Sequence, residues 1–416
     1  MRREMERLAI DGGKPIRDRP FPPVKKVGDE ELEELRKVIE SGNLFRGVRV
    51  REFEEKFAQL YGVKRAVSST SGTAAIHVAM AMVNLNPGDE VITGPITDIG
   101  TVIPILAQNA IPVFADIQPD TFNLDPRNVE RKITPKTKAI IAVHLFGNPS
   151  DMDELLQVAR KHKIVLVEDC AQAHLASYKG KPVGTIGDIG CFSFQQSKHM
   201  ITGDGGMTIT DNDEYGDRGT IFVDKGWERW VSGPRHYAMF GMNYRMTELQ
   251  AAVGIAQLRK VKWVTETRNR LGEMLSEMIS DVRGVKPQRV LEGCRCVYWY
   301  YGMVVEEEAP FTASQFAKAL SAEGIPAGAH YIGKPIFLCH EAVRNKRIYG
   351  DSDCPFNCGY TSAKIEYVEG LCPVAESVLD RLITIPLNEF MSEEDIKDMA
   401  RAIRKVSEGL SAKSKV

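Results

Sequence analysis

From residue 64 onward, short β-branched runs alternate with helical stretches, and no other feature narrows the possible folds of this chain as much. RAVSS (65–69) leads into TAAIHVAMAMV, and EVIT (90–93) precedes IGTVIPILAQ. PVFADI (112–117), KAIIAVHLFG (138–147) and KIVLVEDC (163–170) are further predicted strands, with DMDELLQVARKH (151–162) as a predicted helix between the last two. Strands that read as continuous apolar runs are buried on both faces, the mark of a parallel sheet with helices on either side. Such a sheet carries its functional loops at the carboxyl ends of its strands. The strand pattern continues through CFSF and MTIT (207–210). Residues 246–279 then read as one long helix with little Gly or Pro to stop it. Beyond it, VYWYYGMVV reads as strand, and TASQFAKALSAEG and SEEDIKDMARAIRKV as helices. The predicted fold is α/β. An N-terminal segment and a large domain with a mostly parallel sheet flanked by helices occupy 1–265, and a smaller α+β domain occupies 266–416.

Composition bounds the partners. A formal net charge of −2 supplies no basic field for nucleic acid. No apolar run approaches the ~20 residues of a membrane span. The start, MRREMERLAI, is charged and lacks the apolar core of a signal peptide, so a cytoplasmic protein is expected. Eight cysteines in so long a chain then read as reduced thiols. Cys354 and Cys358 form a C-x3-C pair near Cys339 and Cys372, but no pair of C-x2-C knuckles accompanies them, and no metal is expected.

Three strand ends carry chemistry. In SSTSGTAA (68–75) a strand runs through a Ser/Thr/Gly loop into a helix, whose free N–H groups and dipole suit a phosphate. Ser/Thr caps open most helices, so this signal alone is weak. In VEDCAQAH (167–174) an apolar strand ends in two carboxylates. Asp169 there either caps a following helix or holds a protonated ring nitrogen, with Gln172 on the same side of the new turn. In GCFSFQQSKHMITGDGG (190–206) Lys198 stands between an apolar aromatic segment and a glycine turn. A free lysine, with a pKa of about 10.4, is a poor nucleophile at neutral pH. Joined to an aldehyde cofactor it becomes a pre-activated imine, and later a general acid–base. Ser193, five residues earlier, is close enough to share the cofactor's phosphate. A phosphate cradle, a strand-end aspartate and a lysine beside a glycine turn are together what pyridoxal 5′-phosphate requires.

With SGTAA, VEDCAQAH, FSFQQSK followed by GDGG, GMNYRMTELQAA and AHYIGKP, the chain resembles the DegT/DnrJ/EryC1/StrS family of sugar and cyclitol aminotransferases, of the aspartate-aminotransferase fold (fold type I). The resemblance runs from about residue 8 to 405. It implies that Lys198 bonds the cofactor aldehyde and that Asp169 keeps the pyridine nitrogen protonated. It further implies that Gln172 lies against the cofactor and that Ser71, Gly72, Thr73 and Ser193 bind its phosphate. Asn243 matches an asparagine that a neighbouring subunit supplies to that phosphate, which implies a homodimer with shared sites. Arg245 is either an anion reader for the amino donor or a structural salt bridge. His330 and Tyr331 match a substrate-side segment, or form a buried structural pair. The implied reaction moves an amino group from glutamate or glutamine to a keto-sugar or keto-cyclitol.

Two departures bear on the acceptor. Aligning Thr97 and Thr101 with the family's threonines puts Asp98 where an aromatic residue stacks on the cofactor ring. A carboxylate cannot stack, so either Ile99 covers the ring or Asp98 addresses the substrate. Gln195 stands where many nucleotide-sugar members carry histidine, which favours the cyclitol branches. Lys198 argues against the family's sugar dehydratases, which replace that lysine with histidine. A PLP-holding regulatory protein without turnover is the rival of another class.

Overall fold

The computed structural model describes residues 6–359, 361–362 and 364–413. Its main sheet has seven strands, β1 (Arg65–Ser69), β2 (Glu90–Thr93), β3 (Ile111–Phe114), β4 (Thr137–Val143), β5 (Val165–Asp169), β6 (Ile189–Ser193) and β7 (Gly206–Thr210), in the order β1-β7-β6-β5-β4-β2-β3. β3, β2, β4, β5 and β6 are parallel. β7 alone runs antiparallel to both neighbours. β1 therefore points the same way as the rest, and the chain leaves β1, β2, β5 and β6 at one edge of the sheet.

Each strand overlaps one of the apolar runs, because a strand covered on both faces admits few polar residues, and the starts lie within two residues of them. All five residues of β6 and of β7 are buried. The helix Gly72–Val83 is apolar on every side, and Ala74 to Met82 are all buried. It lies between the sheet and the helix Asp213–Phe222, so its middle turns meet no water while its N-terminus stays partly exposed. The run PVFADI stops being strand at Phe114. The Asp116 carboxylate instead accepts the Val374 and Ala375 N–H groups, both at 2.9 Å, at the start of helix Pro373–Arg381.

A second sheet of four antiparallel strands, Val285–Pro287, Tyr300–Val305, Leu382–Pro386 and Gly328–Ala329 in that order, has its own core. Leu8 packs into this core, and the Glu323 carboxylate holds the N–H groups of Ala9 (2.8 Å) and Ile16 (3.0 Å).

The single long helix expected over 246–279 is two helices, Glu248–Leu258 and Val261–Met278. Neither Gly nor Pro breaks it. Tertiary ion pairs do: Lys260 reaches Glu31 at 2.6 Å and Arg259 reaches Glu34 at 2.6 Å, while Gln257 donates to the Lys26 carbonyl at 2.8 Å. Gripping three residues of one turn against helix Asp29–Ser41 and the stretch before it pulls the backbone into tight i−3 turns there. Among the described residues, no helix is long and apolar enough to cross a membrane.

Candidate active site

The loops leaving β1, β2, β5 and β6 enclose a cavity of about 350 Å³ lined by Ser71, Gly72, Thr73, Asp98, Asp169, Ser193 and Lys198. Thus seven of the residues singled out in the sequence meet in one place, though up to 127 positions separate them.

The helix terminus comes first. Ser71 caps the helix Gly72–Val83, its hydroxyl accepting the Ala74 N–H at 3.0 Å. A Cβ on residue 72 would stand 2.6 Å from the Cβ of Ser193, so only glycine lets β6 come this close and leaves the terminus open. Ser193 accepts the Gln195 N–H at 3.3 Å. Backbone N–H groups, a hydroxyl and the positive end of a helix dipole thus face the cavity, a donor set that fits a phosphate group.

Asp169 ends β5. Its carboxylate accepts the Ala171 N–H at 3.1 Å and the Thr101 hydroxyl at 2.8 Å, and Thr97 lies 2.7 Å from Thr101 Oγ1. Burial pushes the carboxyl above its ordinary value, opposed by those two donors and by Lys198. The segment after β5 is a series of turns rather than a helix, so Asp169 caps no helix.

Lys198 lies in a turn tied by its own N–H to the Gln195 carbonyl at 2.9 Å. Gly203, with φ of 88°, lets the following loop fold back so that its carbonyl accepts the Gln196 N–H at 3.0 Å. Burial lowers the Lys198 ammonium's pKa, while Asp169 and Asp98 pull it upward. A depressed pKa raises the fraction present as the nucleophilic free amine.

Of the other expected residues, Asp98 borders the cavity and the rest fall outside it. Asp98 is exposed at the cavity and caps a short turn, accepting the Gly100 N–H at 2.8 Å. Ile99 packs among apolar side chains away from the cavity lining. The Gln172 amide oxygen accepts the Phe146 N–H at 2.8 Å and does not line the cavity. Arg245 pairs with the buried Asp224 beside Arg229. Asn243 is exposed and outside the cavity of its own chain. His330 is held by Ser314 at 2.7 Å and by the Leu379 carbonyl at 3.2 Å, and Tyr331 packs edge-on against Phe146 at 4.9 Å.

Two residues at the lysine gave no sequence signal. Trp299, read only as one aromatic in a strand, sets its ring 4.0 Å from Lys198 Nζ. Lys26 comes from an irregular stretch, and its buried ammonium donates to the Lys198 carbonyl while standing 3.7 Å from Glu389. Arg268 shares that carboxylate at 2.7 Å. Burial, reinforced by Arg268 and opposed by Glu389, lowers Lys26 to about 8 from 10.5. Between those values the unfolded chain binds the proton that the folded protein has released, so folding stability rises with pH across the window. Lys26→Met abolishes this gain. From about pH 7.5 to about pH 10, wild-type stability relative to the variant should rise by about 2 kcal/mol in urea unfolding. Parallel curves would show that Lys26 keeps its proton.

Among the described residues, one group has metal-ligand proximity, His144, Glu168 and Cys170, with ligand atoms within 4.8 Å. Its valences are used. Glu168 accepts the Gly184, Ile186 and Gly187 N–H groups, each at 2.7 Å, and lies 3.0 Å from His144 Nε2. His144 Nδ1 accepts the Ser150 N–H at 3.0 Å, and burial pushes the Cys170 thiol well up, away from the thiolate a metal needs. The group anchors β5, and through it Asp169.

Comparison with known proteins finds aminotransferases. The chain is 35% identical to a putative L-glutamine:3-amino-2,3-dideoxy-scyllo-inosose aminotransferase of Micromonospora echinospora, covering 99% of each chain. It is 34% identical to L-glutamine:2-deoxy-scyllo-inosose aminotransferase of Streptomyces kanamyceticus, covering 97% of each. A solved aminotransferase from Psychrobacter cryohalolentis superposes with a TM-score of 0.81 at 29% identity, over 92% of this chain and 98% of that one. The profile of the DegT/DnrJ/EryC1/StrS aminotransferase family matches residues 25–358, four-fifths of the chain, and the chain belongs to that family.

Proposed function

We propose that this aminotransferase uses pyridoxal 5′-phosphate to move an amino group from L-glutamine or L-glutamate to the ketone of a neutral cyclitol or sugar. One observation carries the reading: Lys198, Asp169 and the open N-terminus of helix Gly72–Val83 line the same cavity. The donor set matches the cofactor's three demands, an amine for its aldehyde, a carboxylate for its ring nitrogen and N–H groups for its phosphate. When bound, pyridoxal phosphate supplies the carbonyl that exchanges amines and a ring that accepts the electron pair freed at Cα.

The chain's own residues do the rest. Thr101 and the Ala171 N–H keep the Asp169 carboxylate oriented, so that it holds a proton on the ring nitrogen despite its burial. Lys198, its pKa depressed, takes the proton from Cα as a free amine and returns it one position away. The phosphate site is completed by Asn243 of the partner subunit. The exposure of Asn243, next to a stretch that leaves Trp230 55% and Phe240 82% exposed, supports a homodimer through this face. The two L-glutamine-dependent relatives support glutamine as donor and a cyclitol as acceptor.

The test separates the half-reactions. Holoenzyme mixed with L-glutamine or L-glutamate should lose its visible band and release the 2-oxo acid. A keto-cyclitol should then restore the band. Failure with every amino donor would leave the non-turnover reading standing.

Asp98 is the proposed reader of the acceptor, its carboxylate accepting bonds from ring hydroxyls and repelling diphosphates. Asp98→Phe should keep the cofactor and the donor half-reaction while slowing the acceptor half-reaction roughly tenfold, the worth of one hydrogen bond to a charge. Its loss also removes the cap on Gly100, which Asp98→Ser retains, so the two variants should share the acceptor defect. An unaltered acceptor half-reaction in both would make Asp98 a solvated loop charge.

A further inference from the structure

The aromatic ring absent at position 98 has a counterpart on the other domain. Trp299 is the only aromatic side chain lining the cavity among the described residues, and its neighbours there are mostly polar or charged. Three contacts fix the indole. Its N–H donates to the Ser197 carbonyl at 2.9 Å, Tyr300 packs edge-on at 4.6 Å, and the Trp299 main-chain N–H donates to the Phe146 carbonyl at 2.7 Å. A half-buried indole held this firmly loses little further freedom when something stacks on it. Its present neighbour is the Lys198 ammonium, 4.0 Å from the ring centroid. A cation over an indole face is held by the ring's negative quadrupole.

That contact is conditional on charge. When Lys198 gives up its proton, the cation is gone and the indole face is left open beside the reacting amine. What fits such a face is a flat array of C–H bonds, whose hydrogens carry partial positive charge. A polyhydroxylated six-membered ring presents C–H bonds on its faces and hydroxyls at its rim. Asp98, also lining the cavity and close enough to influence Lys198, would meet the hydroxyls.

We infer that Trp299 is the stacking wall of the acceptor subsite, taking one face of a neutral polyol ring beside Lys198. The inference rests on the aminotransferase reading above and adds a specificity residue to it. Linear amino donors lack a ring to stack, so the contribution of Trp299 falls on the acceptor.

The probe is myo-inositol, a neutral ring without a ketone, titrated into holoenzyme and followed by tryptophan fluorescence. Wild type should show a saturable change that Trp299→Phe lacks, although Trp227, Trp230 and Trp263 remain. Inhibition of the acceptor half-reaction by myo-inositol should weaken roughly tenfold in Trp299→Leu and recover in part in Trp299→Phe, as an aromatic face is worth about that much. Equal inhibition of wild type and Trp299→Leu overturns the inference, as does a wild type that does not bind myo-inositol. Loss of cofactor or of the visible band's position in Trp299→Leu also overturns it, because the indole would then stack on the cofactor. An absent donor half-reaction in wild type is a different result: it sinks the aminotransferase reading itself.

Discussion

Lys198→Ala should abolish turnover, by a factor on the order of 10⁴ or more, because the variant loses the group that both bonds the cofactor and carries the proton. The cofactor should still bind, held by the helix terminus of Gly72–Val83 and by Asp169, which the substitution leaves in place. In the wild type, borohydride should fix the cofactor to the peptide containing Lys198, and mass spectrometry locating it on another lysine would sink the assignment. The lysine removed is half-buried and charge-depressed, so its loss should not unfold the chain. The same variant tests the shared site. Mixed with Asn243→Ala subunits, it should regain part of the activity, since some heterodimers then carry one site with both residues intact. Full activity in a demonstrated monomer excludes that arrangement.

Asp169→Asn should slow both half-reactions by about 10² to 10³, the usual cost of removing one preorganised charge from a reacting centre. The substitution is nearly isosteric. Asparagine's oxygen can still accept the Ala171 N–H, and its amide can donate to Thr101, so the two contacts at 3.1 Å and 2.8 Å survive in altered form. What is lost is the negative charge that keeps a ring nitrogen protonated. Because burial makes that charge costly in the empty site, the variant without cofactor should be at least as stable as wild type in thermal unfolding. A stable variant with slow half-reactions and a shifted visible band identifies a charge kept for chemistry. A variant with both rates unchanged within about twofold, the scatter of ordinary surface substitutions, would remove Asp169 from the reaction.

The large sheet was legible because burial on both faces leaves a strand no choice but to be apolar, and each of β1 to β7 overlaps a run that the sequence marks, although β3, β4, β6 and β7 begin one or two residues before it. The three chemical fixtures were legible for a related reason. Each sits at a strand end, where local motifs such as SGTAA and VEDC record a turn, a cap or a carboxylate within a few residues. The antiparallel course of β7 left no local trace, since pairing direction depends on which strand lies alongside.

What only the tertiary structure decided comes from residues distant in the chain. The break at Arg259–Lys260 is made by carboxylates on helix Asp29–Ser41, more than two hundred residues away, in a stretch whose own propensity is helical throughout. Arg245 is claimed by Asp224, and Gln172 by the Phe146 N–H, so neither side chain reaches the cavity that their motifs place them beside. Lys26 and Trp299 reach Lys198 from either side of it in the sequence, one from an irregular stretch and one from the residue that leads into the second sheet. Sequence periodicity reports which face of an element is buried, and motif spacing reports local turns. Neither reports which charge or ring packs against which across the fold, because that is set by the closing of the whole chain around its cores.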